Sequence, residues 1–136
     1  MEITVKNLQS KILVPYSKVQ ATARKVCRQL KVEKRGLSQI GFVFVGTKRM
    51  RTINRMYLGH DHVTDVITFN LGQSAEIIIC PSVAHTNASL YKVPVTKELL
   101  LYVIHGLLHL AGYDDHRQQD IQRMRAKEQL LLDGAV

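Results

Sequence analysis

The 136-residue chain has no tryptophan, only two cysteines, three prolines, and no long uninterrupted apolar run. Cys27 and Cys80 stand far apart and form no CxxC pair. This argues against a disulfide framework and a cysteine-based zinc site, and it fits a reducing, cytoplasmic setting. Pro15, Pro81 and Pro94 are scattered, so they read as element boundaries rather than as a linker. Aromatic residues make up 6% of the chain. Tyr57 and Phe69 are therefore read as core residues before they are read as stacking platforms for bases. The most apolar stretch, Leu99 to Leu110, carries two histidines and is too short to span a bilayer, so no membrane partner is expected. The opening MEITVKNLQSKILV has no basic segment followed by an apolar run, so no signal peptide is expected. There is no internal repeat and no low-complexity tract.

What is present points to one folded globular domain. Hydrophobic residues reach 46%, and the length suits one domain, residues 1–136, with a sizeable core. The net charge of +8 is unevenly spread. Residues 1–55 hold 13 Lys/Arg against two Asp/Glu, a balance of +11. Residues 56–136 hold six against nine, a balance of −3. The basic half is suited to phosphates and the acidic half to a cation; a plain solvated surface is the competing reading.

The pattern of elements is α+β. A strand is expected near Ile3–Val5. Ser17 with Gln20 makes a capping-box pattern before a helix that buries Val19, Ala23, Val26, Cys27 and Leu30. QIGFVFVG at 39–46 reads as a strand. Thr47 is expected to cap a helix carrying Met50, Ile53 and Tyr57, closed by Gly59. DVITF (65–69) and EIIIC (76–80) read as an antiparallel pair. Pro81 starts a short helix. Thr96 is expected to cap an apolar helix over 97–111 that ends at Gly112. A last amphipathic helix begins near Asp115–Arg117, with Ile121, Met124 and Leu131 on one side. The expectation is one small mixed sheet of about four strands with about five helices.

The chemistry concentrates in HGLLHLAGYDDH, residues 105–116. His105 and His109 are four apart on the apolar helix, so both imidazoles share one face and can share one ion. Gly112 can turn the chain back and bring a third ligand to the pair. Two partly buried core histidines are the plainer alternative. The arrangement follows the elongated zincin logic, in which the third ligand lies six residues after the second histidine. Asp115 sits at that spacing, while His116 has the more usual ligand type but needs a slip of one residue. Asp115 is favoured, and both stay candidates; Asp115 can also act as a helix cap with Gln118. The position that holds the general-base glutamate in HExxH is Gly106 here, which argues against a peptidase.

Three stretches together resemble one family. HGLLHLAGYDD is similar to HGxLHLxGYDH of the YbeY family of rRNA maturation factors. INRMYLGHDHVTDVITF, residues 53–69, resembles its LNxxYRGxDxPTDVLSF segment, and AEIIIC resembles GDIxIC. The matches run in family order across residues 53–116. The resemblance implies a zincin-like fold with the metal site on a central helix. It further implies one Zn2+ per chain and a cytoplasmic, single-strand-specific endoribonuclease of rRNA 3′-end maturation and ribosome quality control. The implied partners are single-stranded RNA, rRNA and the small ribosomal subunit, with no DNA expected.

This chain departs from the pattern at three places. The family's histidine has become Asp115, its YRG arginine has become Leu58, and its GD pair has become Ala75–Glu76. Arg55, one turn before Leu58, or Arg51, is the candidate to supply the missing phosphate or transition-state contact. Asp65, which matches the family's TD pair, is a candidate partner for a metal-bound histidine, or else satisfies amides at a strand start. Lys48, Arg49, Arg51 and Arg55 are expected to flank an RNA groove. Two rival readings are an RNA-binding assembly factor with a structural metal, and a metallohydrolase of another substrate class.

Overall fold

The computed structural model describes residues 1–135. These residues form four strands and five α-helices: β1 (Glu2–Asn7), α1 (Tyr16–Leu30), β2 (Gln39–Phe44), α2 (Thr47–Leu58), β3 (Val66–Asn70), β4 (Ser74–Ile79), α3 (Pro81–Tyr91), α4 (Val95–Leu110) and α5 (Gln118–Ala135). A short 3-10 turn, Val32–Arg35, follows α1. The sheet order is β1-β2-β4-β3. β1, β2 and β4 are parallel, and β3 pairs antiparallel with β4. The fold is α+β, as the element pattern implies.

Strand alternation divides the core between the two faces of the sheet. Ile40, Phe42 and Phe44 of β2 join Ala75, Ile77 and Ile79 of β4 in the larger core, together with α1, α4 and α5. On the other face Ile67, Ile78 and Met50 of α2 form a smaller cluster with Val45 and Cys80. α4 is the central element and packs against α1, α3, α5, β3 and β4. It is apolar around most of its circumference because it is buried around most of it. Leu99, Leu100, Val103, Ile104, Leu107 and Leu108 are fully buried. Each such side chain contributes about 1.5–3 kcal/mol on burial, so any ligand carried by α4 stands on a rigid base. Among the described residues no single helix is long and apolar enough to cross a membrane.

The helix starts differ from the sequence expectation. Ser17, Thr47 and Thr96 do not cap; the N-cap positions are Pro15, Gly46 and Pro94, none with a side-chain cap bond. Each hydroxyl residue lies inside its helix, because the preceding proline or glycine already breaks the chain. The expected ends do occur at Gly59 and Gly112, both with positive φ (72° and 96°). Both cysteines are free and buried, and burial pushes the Cys27 thiol up to about 11. Neither thiol is suited to redox chemistry at neutral pH.

Candidate metal centre

The site forms where the last two turns of α4 meet the chain that returns after it. His105 and His109 bring their Nε2 atoms to 3.1 Å from each other, with the rings edge to face. The Tyr113 N–H bonds to the Leu108 carbonyl at 3.0 Å, which closes the helix around Gly112. This folded end carries Asp115 back over the helix. Asp115 Oδ2 lies 3.5 Å from His109 Nε2 and 3.7 Å from His105 Nε2.

The fit to a metal can be tested by geometry. Zinc bonds of 2.0–2.1 Å in a tetrahedron place neighbouring donor atoms about 3.3–3.4 Å apart. The three observed edges straddle that value. Two imidazoles and one carboxylate are also a common catalytic donor set, and three ligands leave one vertex open. His105, His109 and Asp115 can therefore hold a metal.

The far nitrogen of His105 is also engaged. His105 Nδ1 is in close contact with Glu128 Oε2 of α5. Glu128 is largely buried, at the rim of a small cavity of about 230 Å³ lined also by His105, Asp115, Ile121, Met124 and Arg125. Burial pulls the His105 pKa down, but the Glu128 hydrogen bond and charge, then Asp65 and Asp115, lift it above its ordinary value. His109 moves the other way: burial and the neighbouring His105 charge lower its pKa, against Asp115 and the Tyr113 backbone. The negative field that favours a proton at His105 also favours a metal cation.

Sequence reading did not anticipate Glu128. Its signal is a carboxylate on the apolar stripe of α5, four residues after Met124 and three before Leu131. The other named residues fall as follows. His116 is not brought to the pair; its side chain is 84% exposed and lies 3.3 Å from Asp114. Asp114, Asp115 and His116 also lie near enough to share an ion, but Asp115 is common to both groups and the other two are exposed. Asp65 makes no hydrogen bond to either histidine. It accepts the Val66 N–H at 2.7 Å and the Thr64 hydroxyl at 3.3 Å, so it caps the start of β3 and reaches His105 only through its charge. Arg51 grips Asp61 through two bonds, 2.9 and 3.2 Å, while Arg55 lies 3.9 Å away from it. Both arginines are exposed. Asn54 is buried and donates to the His62 carbonyl, a structural task.

Gly106 lies where α4 crosses the sheet. A Cβ there would meet Ile77 Cγ2 at 2.7 Å and Thr68 Oγ1 at 3.2 Å. The position faces the core, so the side chain that a HExxH peptidase needs has no room. A second, larger cleft of about 610 Å³ opens at the carboxyl ends of β1 and β2. Lys11, Lys48 and Arg49 line it together with Ser10, Thr47 and Ser82.

Comparison with known proteins then decides the family. Residues 4–135 match the family described as Endoribonuclease YbeY. The chain belongs to the endoribonuclease YbeY family. An endoribonuclease YbeY of Chlorobium luteolum is 40% identical over 104 residues, covering 74% of this chain and 76% of that one. An endoribonuclease YbeY of Syntrophus aciditrophicus is 29% identical over 144 residues, covering 97% and 88%. The solution structure of TM1509 from Thermotoga maritima superposes with a TM-score of 0.65 at 28% identity, covering 98% of this chain and 88% of that one. YbeY membership supports a nuclease of the hydrolase class with RNA as substrate.

Proposed function

We propose that this YbeY-family chain is a zinc-dependent, single-strand-specific endoribonuclease with one ion per chain, held by His105, His109 and Asp115. The observation that carries the reading is the triangle of donor atoms with edges of 3.1, 3.5 and 3.7 Å on a rigid buried helix. A divalent ion in that seat supplies Lewis acidity for a phosphoryl oxygen and for the attacking water. The chain's own residues do the rest. Arg125 lines the cavity beside His105 and Asp115 and offers a guanidinium to a phosphate oxygen. Arg55, more loosely held by Asp61 than Arg51 is, takes up developing charge in place of the arginine absent at Leu58. Asp65 supports the site through its charge on His105. Lys11, Lys48 and Arg49 hold the RNA backbone by neutralising phosphates.

A structural-metal role in a binding-only assembly factor is less well supported, because structural zinc sites use four protein ligands and this one offers three. A peptidase is disfavoured by the crowding at Gly106. The wider role proposed from the resemblance is rRNA 3′-end maturation and ribosome quality control on the small subunit, in the cytoplasm.

The test is cleavage of a single-stranded RNA beside the same sequence as a duplex and an unfolded peptide substrate. Cleavage confined to the single strand, abolished by chelation and restored by added zinc, is the expected result. Cleavage that survives full metal removal would refute the reading.

A further inference from the structure

α5 carries an expensive residue. Its buried face runs through Met124, Leu131 and Leu132, with exposures of 1%, 6% and 4%. Glu128 falls on that same stripe, and its side chain is only 12% exposed. A buried carboxylate costs free energy unless it is paired, and an apolar residue would pack the stripe with no such cost. The described structure gives Glu128 one polar side-chain partner, His105 Nδ1.

We propose that Glu128 is a positioning residue for the metal centre: it accepts the Nδ1–H of His105 and so holds the Nε2 lone pair toward His109 and Asp115. The inference rests on the metal reading above and deepens it. A neutral imidazole carries its proton on one nitrogen only. With the proton fixed at Nδ1 by Glu128, Nε2 is the free donor atom, and Nε2 is the atom 3.1 Å from His109 Nε2 and 3.7 Å from Asp115 Oδ2. The opposite tautomer would place a proton where the ion must sit. The carboxylate also fixes the ring plane and makes the ligand more basic. Asp65 does not take this part: its Oδ1 accepts from Val66 and Thr64, and the Nδ1 of His105 is engaged by Glu128. Because Glu128 comes from α5, the metal seat is complete only when α5 is docked on α4.

A purely structural contact between α4 and α5 would predict a loss of stability and no change in metal binding per folded molecule. The test compares Glu128→Leu and Glu128→Gln with the wild type by three readouts: thermal unfolding, zinc affinity against a chromophoric chelator, and the His105 tautomer in the zinc-free protein by long-range 1H–15N NMR. Leucine suits the stripe, and glutamine keeps an acceptor oxygen of the same reach. Zinc affinity should fall about 100-fold in the leucine variant and about 10-fold in the glutamine variant. The Nδ1–H tautomer should persist with glutamine and be lost with leucine. A folded leucine variant that binds zinc within twofold of the wild type, or that keeps the Nδ1–H tautomer, would overturn the inference alone. If leucine does not fold, a glutamine variant with wild-type zinc affinity and tautomer would overturn it in the same way. A wild type that binds no zinc would overturn both the metal reading and this inference.

Discussion

Gly106→Glu, which restores the HExxH pattern of peptidases, should unfold the chain rather than give it peptidase activity. Even a methyl group at this position would lie 2.7 Å from Ile77 Cγ2, an atom fixed on a branched Cβ and unable to swing aside. Overpacking of that kind costs about 1–3 kcal/mol. For alanine, the better helix propensity returns about 1 kcal/mol of it. Glutamate adds an ionised group between α4 and the sheet, where Ile77 and Leu107 are fully buried. No cation among the described contacts meets it there, so the cost rises to about 4 kcal/mol or more. That is a large share of a typical domain stability of 5–15 kcal/mol. Chemical denaturation of Gly106→Ala and Gly106→Glu checks the order. A glutamate variant as stable as the wild type would show that α4 does not press on the sheet at this point.

The second large effect is expected at His109. His109→Ala removes one of three donor atoms and leaves His105 and Asp115 3.7 Å apart with no third vertex. Cleavage should fall to the level of the metal-stripped wild type, a loss of at least about 1000-fold for a reaction that depends on the ion. Binding of the same RNA should hold within about twofold, because Lys11, Lys48 and Arg49 lie in the other cleft. The pairing of lost cleavage with kept binding separates an enzyme from an assembly factor. It also exposes contamination by another ribonuclease, which the substitution would not remove. Cleavage that continues in His109→Ala at the wild-type rate would mean that the activity resides elsewhere.

What could be read from the sequence depended on whether the cause was local. The α4 pattern was plain, because burial on most sides forces an almost unbroken apolar run with only His105 and His109 near its end. The β3–β4 pair was plain too, because so few residues separate the strands. The helix starts at Ser17, Thr47 and Thr96 are not legible in this way, since a hydroxyl close after Pro15, Gly46 or Pro94 looks the same whether it caps or sits at the first or second helical position. The spacing after Gly112 favoured Asp115 but kept His116 as a second candidate; only the folded turn separates them, with Asp115 over the histidine pair and His116 exposed. Glu128 was hidden for a different reason. Its meaning comes from a contact with His105 across 23 residues, and neither helix alone encodes which residues face each other when they dock. The bond from Arg51 to Asp61 was hidden in the same way, since a helix guanidinium and a loop carboxylate show no shared period.

The most direct test of the central claim is the zinc content per chain, measured by elemental analysis after zinc loading and removal of excess. Wild type, Asp115→Ala and His116→Ala would be measured side by side. The expected result is about one ion per chain in the wild type and in His116→Ala, and a large loss in Asp115→Ala. A wild type without stoichiometric metal would contradict the catalytic-zinc account. Loss of the ion in His116→Ala with retention in Asp115→Ala would move the third ligand to the residue that the structure places outside the site.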